Sequence, residues 1–122
     1  MKTKDYDFIY LSENGWSPPE VGVWDECTKT GILIRDIETT IKIINSNIIL
    51  EGDGHKIFNC DTGIIVHNQE DIAIKNVNFE CKFNSIIMNN THNSQIIRTS
   101  TTNSEGGIFL EKCNNNELVD GC

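Results

Sequence analysis

The sequence is poor in the residues that build helices and membrane spans. It has one alanine (Ala73) among 122 residues, and no apolar run approaches the length needed to cross a bilayer. Its 10 Lys and Arg residues are outnumbered by 18 Asp and Glu, which gives a net charge of -8. An acidic chain of this kind is repelled by a phosphate backbone. The composition therefore disfavours a helical fold and predicts neither a membrane span nor a nucleic-acid partner.

Cysteines are too few for a disulfide scaffold, because the chain has five of them and the number is odd. No C-x-x-C pair occurs, so the signatures of a zinc ribbon and of a thioredoxin-like redox motif are absent. The two N-terminal lysines are not followed by the apolar segment of a secretory signal. The chain is therefore either cytoplasmic or an exported protein that lacks its signal in this sequence.

Isoleucine and asparagine, with 19 and 15 copies, are in excess and follow a 22-residue repeat. The Gly-Ile-Ile-Val segment at 63–66 returns as Ser-Ile-Ile-Met at 85–88 and as Gly-Ile-Phe-Leu at 107–110. A less regular copy covers 41–50, and polar segments rich in Asn separate the apolar runs. Because β-branched residues favour strands and Asn favours turns, each unit is predicted to be two or three short strands joined by turns.

The repeat predicts an all-β fold, a right-handed parallel β-helix with coils of about 22 residues. Leucine is too scarce for a leucine-rich repeat, and the short runs lack the period of helical repeats. Alternate residues of a strand point inward, so pairs such as Ile64 and Val66 are expected to stack in the core with their counterparts one coil away.

The run N-I-I-L-E-G-D-G-H-K-I at 47–57 resembles the N-I-T-L-D-G-N-G-H-x-I opening of many pectate-lyase-like β-helix proteins. The segments 63–77 and 107–118 are similar to their following coil and to NosD-type and CASH (carbohydrate-binding and sugar hydrolase) repeats. The resemblance covers residues 38–122 and implies the β-helix fold, with polysaccharide as the ligand. Lyases, hydrolases, epimerases, adhesins and plain scaffolds share this fold, so the resemblance alone does not choose among them.

The two ends of the chain differ from the repeats. Residues 1–37 do not repeat and contain Trp16 and Trp24, so we expect an N-terminal cap and a first strand there, followed by coils over 38–122. The sequence stops before its last 22-residue coil is complete. This predicts either a fragment of a longer solenoid or self-association through an open C-terminal coil.

No motif in the sequence identifies a catalytic site. The most lyase-like set is Arg98, which shares a column with Asn76 and Asp120 one coil below and above, although a surface salt bridge explains this set equally well. Pectate lyases use a catalytic Arg and calcium-binding acids, so the resemblance implies calcium only if the chain is a lyase. The imidazoles of His67 and His92 fall in different columns, and the sequence predicts no metal site. His55 is interpreted as a residue of a tight turn.

Three apolar residues with a 22-residue period are the candidate binding residues. If their neighbours point inward, Ile65, Ile87 and Phe109 form an outward stripe, which suits a partner, a covering segment of the chain or a sugar stacking on Phe109.

Two cysteines, Cys60 and Cys81, are one coil apart and nearly in register. This spacing suits a disulfide, although such cysteines also remain reduced.

These observations lead to three hypotheses. The first is a non-catalytic β-helix module that binds or presents at a surface, with polysaccharide as its ligand. The second is the N-terminal part of a polysaccharide lyase or glycoside hydrolase whose active site lies outside this chain. The third is a structural spacer or adhesin fragment. The sequence favours the non-enzymatic module.

Overall fold

The computed structural model describes residues 8–102 and 106–119, in which short strands alternate with turns. In chain order the strands are β1 (Phe8–Ser12), β2 (Gly15–Ser17), β3 (Gly22–Asp25), β4 (Thr30–Leu33), β5 (Thr40–Ile43), β6 (Ile49–Glu51), β7 (Lys56–Phe58), β8 (Thr62–His67), β9 (Ala73–Lys75), β10 (Asn78–Glu80), β11 (Asn84–Asn89), β12 (Gln95–Ile97), β13 (Ser100–Thr101), β14 (Gly107–Glu111) and β15 (Glu117–Val119). A short 3₁₀ helix, Pro19–Val21, precedes β3. Within this part of the chain, no helix has the length and apolar character required to cross a membrane.

The strands form three sheets that run along a solenoid. The first sheet has the order β14-β11-β8-β5-β1-β2, the second β15-β12-β9-β6-β4-β3 and the third β13-β10-β7. Strands of successive coils pair in parallel, so that Ile64 of β8 lies beside Ile86 of β11, its counterpart in the next repeat. This confirms the predicted all-β parallel β-helix, in which each repeat of the sequence forms one coil, while its right hand stays a prediction.

Antiparallel strands cover the N-terminal end of the solenoid. Strand β2 pairs with β1 at the edge of the first sheet, and β3 pairs with β4 at the edge of the second. The Trp16 ring is buried between them and its indole N–H donates to the Val23 carbonyl at 3.1 Å. Strands β1 and β4, both within the segment predicted as the cap and first strand, pair in parallel with β5 and β6 of the next coil. The boundary placed at residue 37 stays a prediction.

The core consists of inward columns of aliphatic side chains. Registered neighbours repeat from coil to coil, as in the column Leu11, Ile43, Val66, Met88 and Leu110. The first four members are at most 2% exposed, whereas Leu110 is 39% exposed. The difference arises because no coil among the described residues packs against the outer side of β14 and β15.

Asparagine forms the corners of the coils by adopting left-handed backbone conformations. One corner stacks Asn47, Asp71, Asn93 and Asn115, each with φ between 56° and 63°. The Asn side chain tolerates this region better than other non-glycine residues do. The excess of asparagine in the sequence is therefore used by the fold itself.

Candidate functional site

The outer face of the first sheet carries one continuous column of large side chains. Parallel pairing places its members side by side, one from each successive strand, and we call them the outward column: Tyr10, Lys42, Ile65, Ile87 and Phe109. Ile65 and Ile87 are half-buried, and Phe109 is 48% exposed. Neighbouring strands lie about 4.8 Å apart, so the column extends roughly 19 Å along the solenoid.

The lysine does not interrupt the apolar character of this column. The Lys42 ammonium lies over the ring of Phe8, 3.9 Å from the ring centroid, which is the geometry of a cation–π contact. The Phe8 ring is in turn 6.4 Å from the ring of Tyr10. The charge is therefore held against an aromatic face, and the methylene groups of the lysine continue the column between Tyr10 and Ile65.

Polar side chains flank the outward column on both sides. Thr62 and Asn84 are neighbours in register along one side, and the Thr40 hydroxyl donates to the Thr62 carbonyl at 2.6 Å. His67, Asn89 and Glu111 follow the other side, where the Asn89 amide donates to the Glu111 carboxylate at 2.9 Å. The outward column therefore lies between two rows of hydrogen-bonding groups.

The 22-residue period aligns three of the five column residues but not Tyr10 and Lys42. Ile65, Ile87 and Phe109 share a 22-residue period, whereas Lys42 precedes Ile65 by 23 residues. Tyr10 precedes Lys42 by 32 residues, because β2, the 3₁₀ helix and β3 are inserted between their strands. The available signal was local: the sequence Phe-Ile-Tyr-Leu-Ser of β1 buries its second and fourth residues and exposes the third. The alternation alone identifies Tyr10 as outward.

Arg98 belongs to a separate polar ladder at a corner of the coils. Its Nε donates to the Asn76 Oδ1 at 3.0 Å, and the Asn76 amide nitrogen donates to both carboxylate oxygens of Glu51 at 3.1 and 2.9 Å. Arg98 itself has φ 51°. The ladder joins three coils, and its groups satisfy one another. Asp120, the acid expected above Arg98, lies outside the described residues.

Two of the histidines, His55 and His92, make side-chain contacts at the corners of the coils. His92 Nδ1 accepts the Asn114 backbone N–H at 3.0 Å, so its Nε2 carries the proton and donates to Asn90 Oδ1 at 3.2 Å. His55 lies in the turn after Gly54, with Nδ1 3.2 Å from Asp36 Oδ1. The Lys56 backbone N–H, which donates to the same carboxylate, is the main cause that lowers the pKa of Asp36.

Comparisons with known proteins identify a family over nearly the whole chain. A family model described as "NosD: Periplasmic copper-binding protein (NosD)" matches residues 5–121. No curated protein and no solved structure matches the sequence significantly.

Proposed function

The chain belongs to the NosD family of β-helix proteins, and we propose that it acts as a non-catalytic repeat module that binds an extended polysaccharide along the outward column. The alignment of Tyr10, Ile65, Ile87 and Phe109 on one face of the first sheet is the observation that carries the proposal. Sugar rings have one apolar face and a hydroxylated edge. A ring can therefore stack on the column while its hydroxyl groups meet the flanking Thr, Asn, His and Glu side chains.

The spacing between coils of the solenoid is similar to the spacing between sugars of an extended polysaccharide. Equivalent side chains recur about every 4.8 Å along its axis, a step comparable to the length of one sugar in an extended glycan. Successive sugars can thus meet equivalent surroundings on successive coils. Each coil would contribute a small part of the binding free energy, so this surface suits a long, repetitive ligand better than a compact one.

The charge of the chain favours a neutral polysaccharide over an acidic one. The net charge is -8, and of the column residues only Lys42 is cationic, with its ammonium already placed over the Phe8 ring. A polyuronate would bring further negative charge to this surface and be repelled at low ionic strength. The proposed ligand is therefore an uncharged, extended glycan with exposed apolar ring faces.

The described part of the chain offers no set of ligands that fits copper, the metal named in the family description. No group of three or more His, Cys, Asp or Glu side chains is placed there to hold a metal ion. The Cys60 and Cys81 sulfurs are 3.6 Å apart but supply only two ligands, and both ring nitrogens of His92 already have partners. Protein copper centres built from His and Cys use three strong ligands. The proposed function therefore involves no metal.

Substitutions in the outward column are expected to weaken glycan binding without unfolding the chain. The double substitution Ile65→Thr and Ile87→Thr keeps β-branched residues on the strands, and Phe109→Ala removes the aromatic ring. We expect each variant to weaken binding of cellohexaose or mannohexaose at least tenfold, since tenfold corresponds to about 1.4 kcal/mol and a lost stacking contact is of that order. Isothermal titration calorimetry measures the affinity.

The matched control is Ile34→Thr, because Ile34 is 49% exposed but follows β4 of the second sheet. Its affinity should equal that of the unmodified chain. Binding that survives the column variants, or no binding to either oligosaccharide, refutes the proposal. Release of unsaturated uronides from polygalacturonate with calcium would instead support the lyase hypothesis, and neither binding nor turnover would leave the spacer or adhesin hypothesis.

The last described coil supports a second property, association of two copies of the chain through their C-terminal ends. Leu118 is 51% exposed, although its registered neighbours Ile96 and Ile74 are buried. The opposite end of the solenoid is closed by β2 and β3. Because head-to-tail stacking would require that closed end, the contact that fits is one between two identical open ends, related by a two-fold axis.

We expect the 13.8 kDa chain to sediment at twice its mass and Leu118→Asp to sediment as a monomer. A carboxylate in this contact would be buried without a partner and would oppose pairing. Val23→Asp is the control, since Val23 is 52% exposed on β3 at the capped end, and that variant should remain dimeric. A monomeric unmodified chain at micromolar concentration overturns this proposal.

A further inference from the structure

Two cysteines on neighbouring coils have their sulfur atoms close together at one corner of the solenoid. Cys60 lies between β7 and β8, Cys81 lies between β10 and β11, and their Sγ atoms are 3.6 Å apart. We propose that this pair is an oxidation site, at which a small-molecule disulfide converts the two thiols into a disulfide that joins successive coils.

The backbone already holds the two corners in the arrangement that a disulfide needs. The Lys82 N–H donates to the Cys60 carbonyl at 2.9 Å, and the Asn59 N–H donates to the Glu80 carbonyl at 3.3 Å. Adjacent coils are about 4.8 Å apart and one residue advances a strand by about 3.3 Å, so a diagonal pair has a Cα separation of roughly 6 Å, within the range that disulfides span. The sulfurs must approach by roughly 1.5 Å to reach the length of a disulfide bond. Rotation of the Cys60 side chain, which is only half-buried, can supply that movement.

The two thiols differ in accessibility, and this difference assigns their roles. Both cysteines border the same open groove, but the Cys60 side chain is half-buried there, whereas Cys81 is only 1% exposed. The hydrogen bond between the sulfurs lowers the pKa of the Cys60 thiol and raises that of the Cys81 thiol. Thiolate character and exposure decide which cysteine reacts first. Cys60 is therefore the attacking thiol, and Cys81 is the one that completes the bond.

The chemistry balances with a low-molecular-weight disulfide such as oxidised glutathione as the oxidant. The Cys60 thiolate attacks one sulfur of the oxidant, forms a mixed disulfide and displaces one glutathione thiolate, which takes up a proton. Cys81 then loses its proton, attacks the Cys60 sulfur and displaces the second glutathione as a thiol. Two electrons pass from the cysteine pair to the oxidant, one sulfur–sulfur bond forms between the coils, and two glutathione molecules leave reduced.

The test uses the full chain carrying Cys27→Ser, Cys113→Ser and Cys122→Ser, so that only this pair remains. Incubation with oxidised glutathione should lower the intact mass by two hydrogens and protect both cysteines from alkylation. The Tm should rise by roughly 10 °C because the cross-link closes a loop of about 20 residues. Peptide mapping without reductant should place the bond between Cys60 and Cys81.

Two further variants in the same background separate the roles of the cysteines. Cys81→Ser should stop at a stable glutathione adduct on Cys60, because no thiol is present to displace it. Cys60→Ser should leave Cys81 unmodified, because its side chain is buried. Circular dichroism establishes that each variant is folded. The proposal is overturned if both thiols remain open to alkylation in the folded background chain, or if Cys81 is the residue that carries the adduct.

Discussion

Replacing Phe79 with alanine is expected to lower the free energy of unfolding by about 3–5 kcal/mol, the range found for large buried aromatic residues. Phe79 lies on β10 in the third sheet and is 1% exposed. Its ring fills the space left beside Gly63, where an added Cβ would lie 2.6 Å from the Phe79 Cδ1. Since Gly63 has no side chain that could relax into the cavity, we expect little compensation and an effect near the upper end of this range.

Urea denaturation followed by circular dichroism measures this effect. Phe83→Ala is the matched control, because Phe83 is an exposed phenylalanine in the segment that precedes β11. It should change stability by less than about 1 kcal/mol. Equal effects of the two substitutions would mean that the ring of Phe79 does not fill the core as described. Phe79→Leu should lie between Phe79→Ala and the unmodified chain, because leucine fills part of the volume.

The regular coils could be predicted from the sequence because their period is constant. With one repeat per turn, the positions of Ile64 and Ile86 follow directly from one another, and alternation along the strand decides that Ile65 faces outward. The N-terminal coil could not be predicted this way. There the insertion of β2 and β3 breaks the period, and only pairing in three dimensions reveals that β1 continues the first sheet.

The corners show how far residue type alone predicts local structure. Asn68 and Asn90 adopt left-handed conformations, as expected of asparagine, but Lys112 at the same corner has φ 54°. Nothing in a lysine side chain favours this region. The stacked coils impose the turn because the Asn90 N–H donates to the Glu111 carbonyl at 2.9 Å, as the Asn68 N–H does to the Asn89 carbonyl one coil earlier. Tertiary pairing therefore overrides local preference at positions such as Lys112.

The candidate surfaces could be predicted from the sequence only where their residues follow the 22-residue period. Ile65, Ile87 and Phe109 could be aligned from their period, whereas Tyr10 and Lys42 required the structure. The spacing of Cys60 and Cys81, slightly shorter than the period, left open whether the sulfurs meet. The structure places them 3.6 Å apart because the side chains converge diagonally across the corner, where Cys60 pairs through its carbonyl with Lys82 rather than with Cys81.

The glycines of the turn at 52–54 are needed for different reasons, and the larger effect is expected at Gly52. An added Cβ at Gly52 would lie 2.4 Å from the Asn76 carbonyl oxygen and 2.5 Å from Val77 Cγ2. Gly52 has an ordinary φ, so the requirement is close approach to the next coil rather than backbone conformation. A backbone oxygen in a hydrogen-bonded coil cannot move aside, since it accepts the Gly54 N–H at 2.9 Å. We therefore expect Gly52→Ala to destabilise the chain by about 3 kcal/mol, at the upper end of the usual effect of overpacking.

Gly54→Ala provides the contrast within the same turn. Gly54 has φ +81° and nothing within 4 Å of an added Cβ, so its substitution introduces backbone strain of about 1 kcal/mol without a clash. Gly54→Asn should recover part of that loss, because asparagine tolerates a positive φ, whereas no side chain relieves the contact at Gly52. Urea denaturation of the three variants measures the order. If Gly54→Ala were the more destabilising alanine substitution, the turn would be limited by its conformation, and the close contact between the coils at Asn76 would have to be looser than described.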